Sequence, residues 1–241
     1  MPQNVAPWEW SDQALRLREF NYEHWAEHGR GPNLADVHRA LGLSRREAVH
    51  AYRELQLGIC CSMDLFSVNA NVYRFLPFAS FATPVKAKVD GEFHSFCGCA
   101  LETPSFSKLP PFKDRTVTFE SYCVCCFTPL RFDAMNGTVL DQEPPGFLVH
   151  VSTSPWDWQL VDTMYQCDSM NFVLDAEHAE RFEREIGRRG VLFTFEQAQM
   201  FAGGSGDKRM WNYHWPPEVS NPMTVIEGAR GLGVDVTNWA S

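Results

Sequence analysis

The sequence lacks the features of a membrane or nucleic-acid-binding protein. No apolar run approaches the roughly eighteen residues that a membrane-spanning helix needs. Residues 1–10 show no basic start followed by an apolar segment, so they do not resemble a secretory signal. Lys and Arg number only 21 against 30 Asp and Glu, giving a net charge of −9. Nucleic-acid binding needs clustered positive charge. We therefore expect a cytoplasmic protein that has neither a membrane nor a nucleic acid as a partner.

Several common catalytic and binding motifs are also missing. There is no Gly-x-Ser-x-Gly or His-Glu-x-x-His sequence. The glycine-rich stretch at 203–206 lacks the strand-to-helix context of a phosphate-binding loop. Cys123 and Cys126 have a Cys-x-x-Cys spacing, but no second pair accompanies them, so a structural zinc site is only weakly indicated.

What the sequence does contain is a substantial apolar fraction and many cysteines. Of its 241 residues, 44% are hydrophobic and 21% are charged, which is typical of a globular protein with a real core. In a chain that is not exported, most thiols stay reduced. An excess of thiols favours thiolate nucleophiles or soft-metal ligands. The cysteines are Cys60, Cys61, Cys97, Cys99, Cys123, Cys125, Cys126 and Cys167.

The N-terminal part reads as a small helical module. The apolar spacing predicts a helix over residues 11–28 and two shorter helices within 33–56, which Gly42 separates by a tight turn. The alternating stretch 71–75 suits the wing of a winged helix. Acidic residues balance the arginines of this module, which favours a scaffold role over DNA binding. We predict a winged-helix-like module over residues 1–80.

The remainder predicts an α+β fold, with a mixed or antiparallel β-sheet core and flanking helices. We place this core at residues 81–202. An apolar linker at 76–84, which overlaps the start of the core, is expected to cross its surface or to line a pocket. Asp90-Gly91 signals a hairpin turn. Further strands are expected at 85–89, 92–96, 116–120, 129–132, 147–151, 171–174 and 191–195. A charged helix is expected over 176–189, ended by Gly190, and an irregular aromatic and proline-rich arm over 203–241 that packs on the core.

The chemistry concentrates in a short stretch that follows a predicted strand, Cys97-Gly98-Cys99-Ala100-Leu101-Glu102. If residues 99–102 form a helical turn, the Cys99 thiol and the Glu102 carboxylate share one face. Cys167 is a second, distant thiol. By spacing alone, buried structural cysteines remain slightly favoured over a soft-metal site, and Asp168 reads as a loop acid or helix cap. The spacing of His94, His150 and His214 does not suit metal ligation.

An ordered set of motifs resembles the organomercurial lyase (alkylmercury lyase) family. The set comprises residues 96–102, 114–117 and 120–123, and Cys167 ahead of Asn171-Phe172. The resemblance covers roughly residues 30–202. It implies that Cys99 and Cys167 are the two catalytic cysteines and mercury ligands, and that Cys123 is structural. Glu102 falls on the family's catalytic aspartate, one methylene longer, and shares the metal site.

The resemblance implies protonolytic cleavage of a carbon–mercury bond by two thiolates and a carboxylate, without an organic cofactor. The expected substrate is a small organomercurial such as methylmercury. The products are a hydrocarbon and Hg(II), passed to small thiols or to a mercuric reductase. Three alternatives stay open: a soft-metal binding protein on this scaffold, a winged-helix regulator that senses metal, and a same-fold enzyme that acts on another carbon–heteroatom bond.

Overall fold

The computed structural model describes residues 10–57, 61–63, 68–158, 163–202 and 222–239. Its helices are α1 Asp12–His28, α2 Leu34–Leu41, α3 Arg45–Leu57, α4 Thr103–Ser107, α5 Pro155–Trp158, α6 Thr163–Asp168, α7 Ala176–Ile186, α8 Phe195–Ala202 and α9 Pro222–Gly231. Its strands are β1 Cys61–Met63, β2 Val72–Phe75, β3 Phe78–Ala79, β4 Lys86–Val89, β5 Glu92–Cys97, β6 Val117–Tyr122, β7 Pro129–Met135, β8 Thr138–Glu143, β9 Leu148–Val151, β10 Met170–Val173 and β11 Val191–Thr194.

Local capping chemistry sets the ends of the first helices. The Ser11 hydroxyl accepts from the backbone N–H of Ala14 at the start of α1, and Gly29 ends the helix in the left-handed region at φ 66°. Asn33 and Asp36 form a reciprocal capping box at α2, which ends at Gly42. The three predicted N-terminal helices are thereby confirmed.

The main sheet is antiparallel and contains eight strands in the order β1-β2-β3-β5-β4-β6-β7-β8. Strands β1 to β3 come from the predicted N-terminal module and belong to the same sheet as the core, because β3 pairs with β5 and places Phe78 opposite Cys97. The prediction of a linker at 76–84 is therefore wrong for Phe78 and Ala79, which pair as a sheet strand. The predicted α+β class with an antiparallel sheet and flanking helices is confirmed.

A second antiparallel sheet has the order β10-β9-β11. Helix α7 packs beside it and ends at Gly187, which adopts φ 68°. The prediction that this helix reaches Gly190 is wrong, because Gly187 takes up a left-handed conformation three residues earlier and stops the helix. Strand β11 also ends one residue before its predicted limit, because Phe195 begins α8.

Aromatic rings join the helical part to the sheet and the two sheets to each other. The Trp25 ring of α1 stacks on Phe78 at a centroid distance of 5.2 Å and an interplanar angle of 2°. Phe132 packs edge-on against Phe172 at 5.7 Å, joining β7 to β10. Each fully buried aromatic side chain removes a large apolar area from water, worth about 1.5–3 kcal/mol. These rings therefore fix the framework that holds β5 and β10 near each other.

The C-terminal part is more regular than its sequence suggests. Residues 222–231 form helix α9, and Thr237–Trp239 form one turn of 3-10 helix. The expectation of an irregular arm is wrong for these residues. Trp239 is buried and packs edge-on against Trp158 at 5.8 Å. The predicted aromatic residues Trp211, Tyr213 and Trp215 lie outside the described residues. Among the helices described, none combines the length and the apolar composition needed to cross a bilayer.

Candidate active site

Three side chains from distant parts of the chain meet in the interior. The sulfur atoms of Cys99 and Cys167 and a carboxylate oxygen of Glu102 lie within 4.8 Å of one another. The residues are 4%, 3% and 8% exposed, respectively. Within the described ranges, this is the one group of three or more potential metal-ligating residues. We refer to Cys99, Glu102 and Cys167 as the thiol–carboxylate site.

The end of β5 and the turn that follows it position Cys99 and Glu102. The backbone N–H of Gly98 donates to the carbonyl of Pro77 at 2.6 Å, which anchors the chain where it leaves the sheet. The Thr103 hydroxyl donates to the carbonyl of Ala100 at 2.8 Å and closes the turn. Glu102 sits at the start of α4. This turn places the thiol of residue 99 and the carboxylate of residue 102 on the same side.

Gly98 leaves the space that the Glu102 carboxylate occupies. A Cβ atom added at Gly98 would lie 3.3 Å from Oε2 of Glu102 and 3.3 Å from Cδ2 of Leu76. Both distances are shorter than ordinary van der Waals contacts. The small residue at position 98 therefore lets the Glu102 carboxylate and the Leu76 side chain both lie close to the backbone at this point.

Strand β10 brings Cys167 to the same place. The backbone N–H of Ala100 donates to the carbonyl of Met170 at 3.3 Å, so the turn after β5 lies against the start of β10. The Cys99 thiol also contacts the Met170 thioether, with 3.6 Å between Sγ and Sδ. Cys167 lies in α6, immediately before this strand. The contact between the turn after β5 and the start of β10 depends on tertiary packing. It cannot be inferred from the sequence, in which the two segments lie far apart.

A buried arginine that the motif analysis missed lies beside the two thiols. Arg74, on β2, is 1% exposed, and its guanidinium donates to the Asp168 carboxylate at 2.5 Å. It also lies 5.0 Å from the centre of the Phe81 ring. Asp168, interpreted from the sequence as a loop acid or helix cap, is thus the ion-pair partner of Arg74. The sequence did contain one sign of this role, because Arg74 is a cationic residue next to apolar residues at the end of a strand.

The site is arranged to hold the Cys99 thiol protonated until a ligand arrives. Burial raises the pKa of Cys99 well above its usual value, and the neighbouring Cys167 and Glu102 raise it further. Burial by itself lowers the pKa of Arg74, but Cys167, Asp168 and Cys99 together raise it above its usual value. Arg74 therefore favours negative charge on these sulfurs. A thiolate that forms here has a fixed cation beside it and a carboxylate within reach of its proton.

The other predicted candidates lie outside this cluster. The buried Cys97 thiol donates to the carbonyl of Cys99 at 3.6 Å, so it supports the turn that carries Cys99. His94 contacts the Ala26 carbonyl at 3.0 Å, and His150 contacts Glu183 at 3.0 Å. These two histidines have structural partners, as the sequence suggested. His214 lies outside the described residues.

A surface cleft of about 700 Å³ lies elsewhere, on the helical module. Its lining includes Arg45, Arg46 and Arg53, together with Glu47, and none of the three groups of the thiol–carboxylate site. Among the lining residues that the structure describes, none carries a thiol. The buried cluster is therefore the better candidate for chemistry, although it lies away from this cleft.

Comparisons with known proteins identify a similar family and a similar fold. A sequence model of the alkylmercury lyase family (MerB) matches residues 78–204, which include Cys99, Glu102 and Cys167. Among solved structures, the crystal structure of the mercury-bound form of MerB2 is similar, with a TM-score of 0.64 and 16% sequence identity. The similarity covers 83% of this chain and 92% of that chain, and at this identity it shows a shared fold. No curated protein matches the chain.

Proposed function

Because the chain belongs to the alkylmercury lyase family and is a carbon–mercury lyase, we propose that the thiol–carboxylate site carries out its reaction. In this proposal, Cys99 and Cys167 bind the mercury atom of an organomercurial, and Glu102 moves a proton to the departing carbon. The observation that supports it is the convergence of two sulfurs and one carboxylate oxygen within 4.8 Å. Two metal–sulfur bonds of about 2.3 Å that lie in line through one ion would place their sulfurs roughly 4.6 Å apart.

The burial of the site explains why a carboxylate is needed. The pKa of Cys99 is raised, so the resting thiol keeps its proton and needs a nearby base to lose it. As one thiol binds mercury, its proton passes to Glu102. The other thiol also binds mercury, and its proton leaves with the ligand that mercury carried into the site. Over the whole reaction, two mercury–sulfur bonds replace the bond to that ligand and the bond to the carbon.

The carbon–mercury bond breaks when Glu102 returns its proton to the carbon. Two soft sulfur ligands raise the electron density on mercury, which weakens its bond to carbon and favours protonation there. The electron pair of the broken bond forms the new carbon–hydrogen bond, and mercury remains as a bis-thiolate Hg(II). Burial excludes competing water and holds the three reacting groups at high effective concentration.

We further propose a role in mercury resistance inside the cytoplasm. A reducing compartment keeps thiols available, and Cys99 and Cys167 both carry free thiols. The Hg(II) product then leaves by exchange onto small thiols or onto a mercuric reductase. The reaction as written uses only the two thiols and the carboxylate, without an organic cofactor.

The decisive experiment measures methane released from methylmercury in the presence of excess glutathione. The native chain releases methane catalytically, whereas Cys99→Ser and Cys167→Ser abolish the release because each removes one mercury ligand. Cys125→Ser is the matched control, since this half-buried thiol lies outside the thiol–carboxylate site. Full turnover by Cys99→Ser contradicts the assignment. Stoichiometric mercury binding by the native chain without any methane would instead indicate a binding protein.

A further inference from the structure

A second arrangement of thiols lies where β6 leaves the main sheet. The Cys123 turn, residues 123–128, is closed at both ends by backbone hydrogen bonds. The N–H of Cys123 donates to the carbonyl of Thr128 at 2.9 Å, and the N–H of Phe127 donates to the carbonyl of Cys123 at 2.8 Å. Phe127 adopts a left-handed φ of 60°. Within this turn, the thiols of Cys123 and Cys126 lie within hydrogen-bonding reach of each other.

Hydrogen-bond donors surround both sulfurs of this pair. Backbone N–H groups of Leu174, Cys125 and Cys126 donate to the Cys123 thiol. The Cys126 sulfur lies 3.1 Å from the hydroxyl oxygen of Thr128. Donors aimed at sulfur favour the thiolate, which is the form that binds metals. Burial still raises the pKa of Cys123, whereas the Thr128 hydroxyl lowers the pKa of Cys126.

The rim of the Cys123 turn is open to solvent and carries a histidine. Hydrogen bonding to Asp175 raises the pKa of His178, which interacts electrostatically with Cys126. Cys126 is half-buried, and the Phe127 side chain is 73% exposed. Cys123 is fully buried beneath them. A small ion therefore reaches the outer sulfur first and the inner sulfur second.

We propose that Cys123 and Cys126 form a second binding site for Hg(II), separate from the thiol–carboxylate site. Mercuric ion suits a pair of soft sulfur ligands, and two thiols in one tight turn supply such a pair. Binding one ion forms two mercury–sulfur bonds and releases the two thiol protons to solvent. Hg(II) is the product of the proposed lyase reaction, so the biological use of this second site rests on that proposed function. The binding of Hg(II) by Cys123 and Cys126 is independent of it.

Strand β10 sets the distance between the two sites. Met170, at one end, contacts Cys99, whereas the backbone N–H of Leu174, just past the other end, donates to Cys123. Four residues of extended chain span about 13 Å. No single ion bridges that distance. The Cys123 turn therefore retains an ion independently, and exchange between the sites requires a carrier such as a small thiol.

The test uses a chain in which the thiol–carboxylate site is disabled by Cys99→Ser and Cys167→Ser. It is titrated with mercuric chloride against excess glutathione. Native mass spectrometry counts the retained ions, and ultraviolet absorption detects the mercury–thiolate bonds. We expect that adding Cys126→Ser removes one equivalent of Hg(II) and weakens its retention on the order of 10²-fold, because chelation by two linked thiols is lost.

The matched control adds Cys125→Ser instead, which changes the neighbouring half-buried thiol of the same turn. Retention should then be unchanged, and circular dichroism checks that each variant is folded. If Cys126→Ser leaves the number of retained ions unchanged, or if Cys125→Ser removes the same equivalent, the proposal is wrong. Methane release by the native chain is measured separately, so a failure of the lyase assay leaves the binding result intact.

Discussion

The guanidinium of Arg74 donates to the carboxylate of Asp168, which is 94 residues away in sequence. Asp168 immediately follows Cys167, one of the two thiols of the thiol–carboxylate site. The arginine is 1% exposed, whereas the Asp168 side chain is 63% exposed. The pair therefore fastens the helix that carries Cys167 to strand β2. It also places a fixed positive charge beside both sulfurs of the thiol–carboxylate site.

Replacing Arg74 should impair the reaction through the thiols. Arg74→Met removes the positive charge, so the thiolates are less stabilised and form only at higher pH. We expect kcat to fall about tenfold or more, equivalent to about 1.4 kcal/mol, and the pH profile of kcat/KM to shift towards alkaline values. The measurement is methane release from methylmercury between pH 6 and 9.

Two further variants separate this electrostatic role from a structural one. Arg74→Lys keeps the charge and should restore much of the activity and the original pH profile. Asp168→Asn removes the carboxylate partner but leaves the guanidinium in place, so it should shift the profile less than Arg74→Met. An Arg74→Met protein that loses only thermal stability, with an unchanged pH profile, would leave Arg74 a purely structural role.

Glu102 is the carboxylate on which proton transfer depends. Glu102→Gln keeps the shape of the side chain but removes its capacity to carry a proton, so methane release should fall by about 10²–10⁴-fold. Mercury binding should persist, because both thiols remain. Methane production and retained Hg(II) are measured in parallel on the same preparation.

The length of the acidic side chain is tested by Glu102→Asp. Glu102 already places an oxygen within 4.8 Å of both sulfurs. The shorter acid should therefore retain activity within about tenfold of the native level, a change of about 1.4 kcal/mol in the barrier. A sharp rise in activity in the aspartate variant would show that the native glutamate is poorly placed for the reaction.

Gly29 should be far less tolerant of substitution than Gly42, although both end helices in the left-handed conformation. A Cβ atom at Gly29 would lie 2.0 Å from the backbone carbonyl oxygen of His94, whereas one at Gly42 meets nothing within 4 Å. Alanine at either site carries about 1–2 kcal/mol of left-handed strain. Gly29→Ala should lose about 1–3 kcal/mol more, because it presses α1 away from β5.

Urea denaturation of the two glycine variants measures this difference in the free energy of unfolding. Gly42→Ala controls for backbone strain alone. Equal decreases in the free energy of unfolding of the two variants would show that α1 can shift away from β5 without destabilising the protein. Such a result would contradict the tight approach of Gly29 to His94 that the structure describes.

Stability should decrease as the pH falls below about 6.5, the usual pKa of histidine. Burial lowers the pKa of His94 and of His150 in the folded protein. The unfolded chain therefore binds protons more readily than the folded chain between the lowered and the usual values. The free energy of unfolding is greatest above the unfolded pKa and is lost as the pH falls towards the folded values.

Urea denaturation at pH 7.5, 6.5 and 5.5 measures this loss. His150→Gln removes one histidine whose pKa is lowered by burial, so the stability of the variant should depend less steeply on pH than that of the native chain. An equally steep or steeper slope in the variant would exclude His150 as a source of the acid sensitivity. The Glu183 contact with His150 opposes the shift, so the contribution of burial must exceed it.

Local sequence patterns predicted much of the fold because the forces that they report act over a few residues. Ser11 and Gly29 mark the ends of α1 through hydrogen bonding and backbone conformation alone. Asp90-Gly91 forms the hairpin between β4 and β5 for the same reason. The end of α7 was misplaced because glycines at 187 and 190 are both suitable stops, and the sequence does not rank them.

The sequence by itself determined the parts of the site that lie within one turn of chain. Cys99 and Glu102 are three residues apart, so a turn after a strand puts their side chains on one face whatever surrounds them. The order of motifs that resembles the alkylmercury lyases, and the candidacy of Cys167 within it, also follow from the chain alone.

Only the tertiary structure decided which groups share the buried space. Burial of apolar and aromatic side chains drives β2, β5 and β10 together. Because the hydrophobic effect is not directional, the sequence does not specify which strands will meet. It brings Cys167 to Cys99, sets Met170 against the Cys99 thiol, and encloses Arg74 beside both sulfurs. A charge buried at that point must have a partner, which Asp168 provides.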